Sequence, residues 1–123
     1  MPKKVLLVDD STTTLMMEEM ILKQRTQYEC VTAKDGIDAI ERASVERPDL
    51  ILMDVVMPRM NGFEACKRIR TQEALKNTPI ILVTTRCEEQ YVEAGFQSGC
   101  NDYITKPINS RELVTLLHGY LGE

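Results

Sequence analysis

The chain has 123 residues, of which 43% are hydrophobic and 28% charged, with a formal net charge of −4. That balance describes one soluble globular domain over residues 1–123, able to bury about two-thirds of its unfolded surface without a disulfide or metal staple. No run of Lys or Arg exceeds two, which argues against nucleic acid or anionic lipid as a direct partner.

No apolar stretch approaches the roughly 20 residues needed to span a bilayer. Met1-Pro2-Lys3-Lys4 leads straight into an apolar segment with no signal peptide, so the expected location is cytoplasmic. Cys30, Cys66, Cys87 and Cys100 form no C-x-x-C pair and have no His at metal spacing. They read as reduced thiols used as small apolar residues. His118 is the sole histidine and reads as a surface or helix-end residue.

In chain order, Val5-Leu6-Leu7-Val8 is a first strand, stopped by Asp9-Asp10. Ser11 or Thr12 caps a helix over about Thr13 to Gln24, with Leu15, Met16, Met20 and Ile21 on its apolar side. Cys30-Val31-Thr32-Ala33 is a more polar strand, as expected at a sheet edge. Asp35 and Gly36 start a second helix through Ile37, Ile40 and Ala43, which stops before Pro48. Leu50-Ile51-Leu52-Met53 is a third strand, ended by Asp54.

Asn61-Gly62 begins a third helix carrying Phe63, Cys66 and Ile69. Pro79 precedes a fourth strand, Ile80-Ile81-Leu82-Val83, which ends in Thr84-Thr85. Glu88-Glu89 open a fourth helix. Tyr103-Ile104-Thr105 is a fifth strand, ended by Lys106-Pro107. Ser110 caps a fifth helix, with Leu113, Leu116, Leu117 and Leu121 on its apolar side.

Strands alternating with helices predict an α/β fold with a parallel sheet. The continuously apolar first, third and fourth strands indicate burial on both faces, with right-handed crossovers placing helices on each. Ligand chemistry in such sheets sits beyond the carboxyl ends of the strands. Asp9, Asp10, Asp54, Thr84 and Lys106 converge there, a set suited to phosphoryl groups. Two carboxylates about 4 Å apart repel by about 4 kcal/mol at an effective dielectric of about 20. A cluster of three therefore calls for a cation among them.

The strings Val5-Leu6-Leu7-Val8-Asp9-Asp10-Ser11, Asp54-Val55-Val56-Met57-Pro58-Arg59-Met60-Asn61-Gly62 and Asp102-Tyr103-Ile104-Thr105-Lys106-Pro107 resemble the receiver domain of two-component response regulators. The resemblance covers essentially the whole chain. It implies a flavodoxin-like, doubly wound, five-stranded parallel sheet in the order 2-1-3-4-5, with five helices on both faces.

The resemblance also implies roles. Asp54 corresponds to the phosphoacceptor. Asp10, Asp54 and the Val56 carbonyl would hold Mg2+, with Asp9 acting through water, and those are ligand types that Mg2+ prefers. Lys106 would meet the phosphoryl oxygens, and in receivers the corresponding Lys-Pro bond is typically cis, turning the lysine inward. Thr84 corresponds to the switch hydroxyl and Tyr103 to the coupled aromatic that moves from exposed to buried. Thr85, Val56 and Arg86 stand where receivers tune dephosphorylation.

The implied partners are a sensor histidine kinase or phosphotransfer protein and a downstream protein of unknown identity. The changing surface is expected over about Glu88 to Ser98, Asp102 to Ile104 and Arg111 to Leu121. No output domain is expected within this chain, which leaves open a stand-alone regulator or a fragment of a longer protein, and no catalysis is expected beyond the domain's own phosphorylation and dephosphorylation.

Three rival readings are set against this one. An FMN-binding flavodoxin-like module would use Ser11-Thr12-Thr13-Thr14 to cradle phosphate, but Asp9-Asp10 would repel the anion and no Trp is present to stack on a flavin. Phosphatases and phosphotransferases that form an aspartyl phosphate usually carry a second Asp two residues after the nucleophile, where Val56 stands. A receiver-like module that no longer takes phosphate is disfavoured because every principal site group is present.

Overall fold

The computed structural model describes residues 2–85 and 89–122. Five β-α units follow in order: β1 (Lys4–Val8), α1 (Thr12–Arg25), β2 (Glu29–Ala33), α2 (Gly36–Glu46), β3 (Leu50–Asp54), α3 (Gly62–Arg70), β4 (Ile80–Thr84), α4 (Glu89–Gln97), β5 (Asp102–Thr105) and α5 (Ser110–Leu121). A short 3-10 turn at Glu73–Leu75 has no counterpart in the sequence expectation. The strands form one parallel sheet in the order β2-β1-β3-β4-β5, as expected.

Alternation along the strands divides the core into two layers. Leu6, Val8, Ile51, Met53, Ile80 and Leu82 face α2 and α3. Val5, Leu7, Leu50, Leu52, Ile81 and Val83 face α1 and α5. Because the strands of the centre are apolar on both faces, the chain loses its apolar character only where each strand ends, and polar groups emerge along one edge.

Helix starts follow the capping chemistry of the sequence. Ser11 accepts from the Thr14 N–H, Asp35 from the Asp38 N–H and Asn61 from the Glu64 N–H. The α5 cap is Asn109, which accepts from the Glu112 N–H at 3.0 Å, and Ser110 is the first helical residue. Both residues are competent caps, and the carboxamide sits one position nearer the strand. Glu88, expected to open α4, lies outside the described residues, as do Arg86 and Cys87; the described helix begins at Glu89.

The apolar side expected for α1 needs correction. Met16 and Met20 are 63% and 53% exposed, whereas Leu15, Glu18 and Leu22 are buried. Positions 15, 18 and 22 share one helical stripe. A reading that follows hydrophobicity passes over the charged member and rotates the face. In α2 the small residues Ala39 and Ala43 are buried, while Ile37 is exposed.

The described thiols of Cys30, Cys66 and Cys100 are free. Burial pushes Cys66 up and pushes Cys100 up to about 12, so both stay protonated. Among the described residues no helix is long and apolar enough to cross a membrane.

Candidate functional site

Asp9 leaves the buried end of β1 and is 1% exposed. Its Oδ1 accepts from the Ser11 N–H at 2.9 Å, and its Oδ2 accepts from Lys106 Nζ at 3.0 Å. The start of α1 therefore fixes this carboxylate, and the cap residue Ser11 serves both. Asp10, one residue on, is exposed. Asp54 is the last residue of β3 and is 6% exposed. One carboxylate oxygen from each of Asp9, Asp10 and Asp54 lies within 4.8 Å of the others.

Lys106 completes the cluster from the far side of β4. Its backbone N–H donates to the Thr84 carbonyl at 2.8 Å, and its peptide bond to Pro107 is cis. The ammonium lies 3.0 Å from Asp9 and 3.5 Å from Asp54 Oδ1. Burial works against that charge, but the hydrogen bond to Asp9 and the charges of Asp54 and Asp9 outweigh it, holding its pKa above the usual lysine value.

For Asp54 the same upward direction disfavours the charged form. Burial first, then the charge of Asp9, raises its pKa to about 6, although Lys106 opposes the shift. One ammonium at 3.5 Å does not compensate the desolvated Asp54 and the neighbouring carboxylates. The donor set, three carboxylates with excess negative charge and oxygen ligands only, fits a hard divalent cation such as Mg2+.

The loop after β3 is held at both ends. Val55 N–H donates to Val83 O at 3.0 Å, and Gly62 N–H returns to Val55 O at 2.8 Å. Gly62 passes so close to the Asp54 carbonyl that a Cβ there would overlap it, which explains glycine at the loop's end. Between them, Arg59 takes a left-handed backbone (φ 67°) and its Nη2 donates to Asp35 Oδ2 at 2.6 Å, tying the loop to the start of α2. The Val56 side chain is 61% exposed. Only its backbone can serve a metal.

Thr84 ends β4 with 1% exposure, and Tyr103 on the neighbouring β5 is half-buried against the α2–α3 layer. Leu82 pairs with Tyr103 in the sheet register, and Thr84 with Thr105. Thr85, beside the site, is exposed.

Glu18 was missed by the sequence reading. It is 2% exposed, and its Oε1 is buried with no hydrogen-bond partner among the described residues. Burial first, then the charges of Asp9 and Asp54, raises its pKa to about 8, with Lys106 opposing. The available signal was a glutamate on the same helical stripe as Leu15 and Leu22.

A doubly wound parallel sheet with three carboxylates and a lysine at its carboxyl edge defines an α/β signalling domain of the receiver class. Residues 5–118 match the response regulator receiver domain, and the chain belongs to that family, a component of two-component signal transduction.

The chain is 39% identical over 113 residues to the alkaline phosphatase synthesis transcriptional regulatory protein PhoP of Bacillus subtilis, covering 92% of this chain and 46% of PhoP. It thus spans about half the length of that relative. To the polar-differentiation response regulator DivK of Brucella anthropi it is 32% identical over 123 residues, covering 100% of this chain and 99% of DivK. The crystal structure of the receiver domain of sensor histidine kinase PA1611 from Pseudomonas aeruginosa, with a magnesium ion coordinated in its active-site cleft, superposes with a TM-score of 0.91. That pair is 33% identical and covers 100% of both chains. The flavin and phosphatase readings find no support in these relationships.

Proposed function

We propose that this chain is a Mg2+-dependent phosphoacceptor, with Asp54 as the nucleophile and a sensor histidine kinase or phosphotransfer protein as the phosphoryl source. The observation that carries the reading is Lys106 bridging Asp9 and Asp54, beside a third carboxylate, at the edge where β1 and β3 end. A carboxylate oxygen of Asp54 attacks phosphorus, an acyl phosphate forms, and the bond from phosphorus to the donor's nitrogen or oxygen breaks with its electron pair leaving on the donor.

Asp10, Asp54 and the Val56 carbonyl would hold Mg2+, with Asp9 contributing through water. The ion, when bound, supplies positive charge at the phosphoryl oxygens. Its charge also favours the ionised, nucleophilic form of Asp54, whose pKa burial otherwise raises to about 6. Lys106 is held in reach of the same oxygens by its Asp9 contact. Thr84 acts as the switch hydroxyl and Tyr103 as the coupled aromatic, so that a local charge event biases a packing equilibrium at the surface.

The output is a protein–protein interaction, from a single domain over residues 1–123 acting in the cytoplasm. The domain catalyses only its own phosphorylation and dephosphorylation. Replacement Asp54→Asn abolishes Mg2+-dependent labelling by acetyl phosphate, measured as a mobility shift or intact mass. Undiminished labelling of that variant would falsify the assignment.

A further inference from the structure

Gly95 lies inside α4, where glycine is among the poorest helix formers, and it is buried. A Cβ built on it would stand 2.9 Å from Tyr103 Cδ2, 3.1 Å from Tyr103 Cε2 and 3.4 Å from Leu82 Cδ1. The Tyr103 ring therefore occupies the volume that any other residue at this position would fill.

The backbone beneath the ring is tied into the end of its own helix. The Gly95 carbonyl accepts from Ser98 Oγ at 2.5 Å and from the Ser98 N–H at 3.1 Å, and the Cys100 N–H approaches it at 3.4 Å. Ser98 is itself 3% exposed. At 2.9 Å an added methyl group at Gly95 requires something to shift, and the group it meets first is the Tyr103 ring, which rotates about its own side-chain bonds.

We propose that Gly95 is a positioning residue for Tyr103: by lacking a side chain it keeps open a seat on α4, and so sets how readily the ring takes its inward position. The inference deepens the reading of Tyr103 as the coupled aromatic and rests on it. It makes the last turns of α4 part of the switch. Ligand reaching Asp54 and the ring reaching its seat then favour one another, since coupling between two sites is reciprocal.

The test compares Gly95→Ala with Gly119→Ala, a glycine of α5 where an added Cβ meets nothing within 4 Å. Both changes improve helix propensity, but only the first invades the ring's volume. In Gly95→Ala, NMR contacts between the Tyr103 ring and Leu82 weaken or vanish, and affinity for beryllofluoride with Mg2+ falls by about threefold to tenfold. Gly119→Ala leaves both unchanged. In a Tyr103→Leu background, adding Gly95→Ala leaves beryllofluoride affinity unaltered, because the group it displaces is gone.

Tyr103–Leu82 contacts intact in Gly95→Ala overturn the proposal, as does an equal loss of affinity in the Tyr103→Leu background. Failure of the wild-type protein to bind beryllofluoride is a different result. It overturns the phosphoacceptor reading, while the ring contacts still decide whether Gly95 is the seat.

Discussion

Around the site, β1 and β3 carry Asp9 and Asp54 on strands whose residues Val5, Leu6, Leu7, Leu50 and Ile51 are wholly inaccessible to solvent. Across β4, the strand β5 keeps Asp102, Tyr103 and Ile104 only half-buried, and Tyr103 packs over a glycine instead of a side chain. The difference separates two tasks. Carboxylates that must converge within 4.8 Å are anchored in a close-packed interior with few alternative arrangements. The aromatic proposed to move lies on an edge strand, where repacking disturbs fewer neighbours.

The contrast is tested most strongly by truncating one residue on each side. Leu52→Ala, in the middle of β3 and 1% exposed, is expected to cost about 3–5 kcal/mol in urea unfolding. Ile104→Ala on β5 should cost less than half as much, because that side chain already meets solvent. Equal losses would erase the distinction between the two walls.

Electrostatics sharpen it next. Glu18 has a folded pKa of about 8 against an ordinary value of 4.5. Between these values the folded protein retains a proton that the unfolded chain releases, so stability falls as pH rises through that window, by on the order of 3–4 kcal/mol. Asp54, raised to about 6, adds to the same slope over the lower part of the window. Metal-free protein is therefore expected to be more stable at pH 5 than at pH 8. Glu18→Met, which replaces the buried carboxyl by an apolar chain of similar length, should flatten most of that dependence and raise stability at pH 8. An unchanged slope in this variant would show that the titrating group lies elsewhere.

The smallest effects belong to the loop between the two walls. Asp35→Ala removes the α2 cap and the partner of Arg59 together, at a cost of about 1–2 kcal/mol. Arg59→Gly loses only an exposed ion pair and relieves a left-handed backbone, so its thermal midpoint should stay close to that of the parent. A larger effect for Arg59→Gly than for Asp35→Ala would mean that the loop depends on the guanidinium itself.

Much of this molecule was legible because local signals agreed with the fold. Apolar runs with abrupt polar ends marked β1, β3 and β4, and Asp35 and Asn61 announced their helices by side-chain chemistry that acts within four residues. The α1 face was misread because Glu18 occupies a buried position that residue type alone assigns to solvent. The 3-10 turn at Glu73–Leu75 left no periodic signal, being no longer than a single turn.

By itself the sequence determined the alternation of strands and helices, the α/β class, and which polar residues stop each strand. These properties depend on side chains spaced within a few positions of one another. Only the tertiary structure decided that Lys106 lies 3.0 Å from Asp9 and 3.5 Å from Asp54, that Glu18 is buried near them without a partner for Oε1 among the described residues, and that Tyr103 lies on Gly95. Those facts depend on distances between residues far apart in the chain. Such distances are set by how the helices settle on the sheet, and no local pattern encodes them.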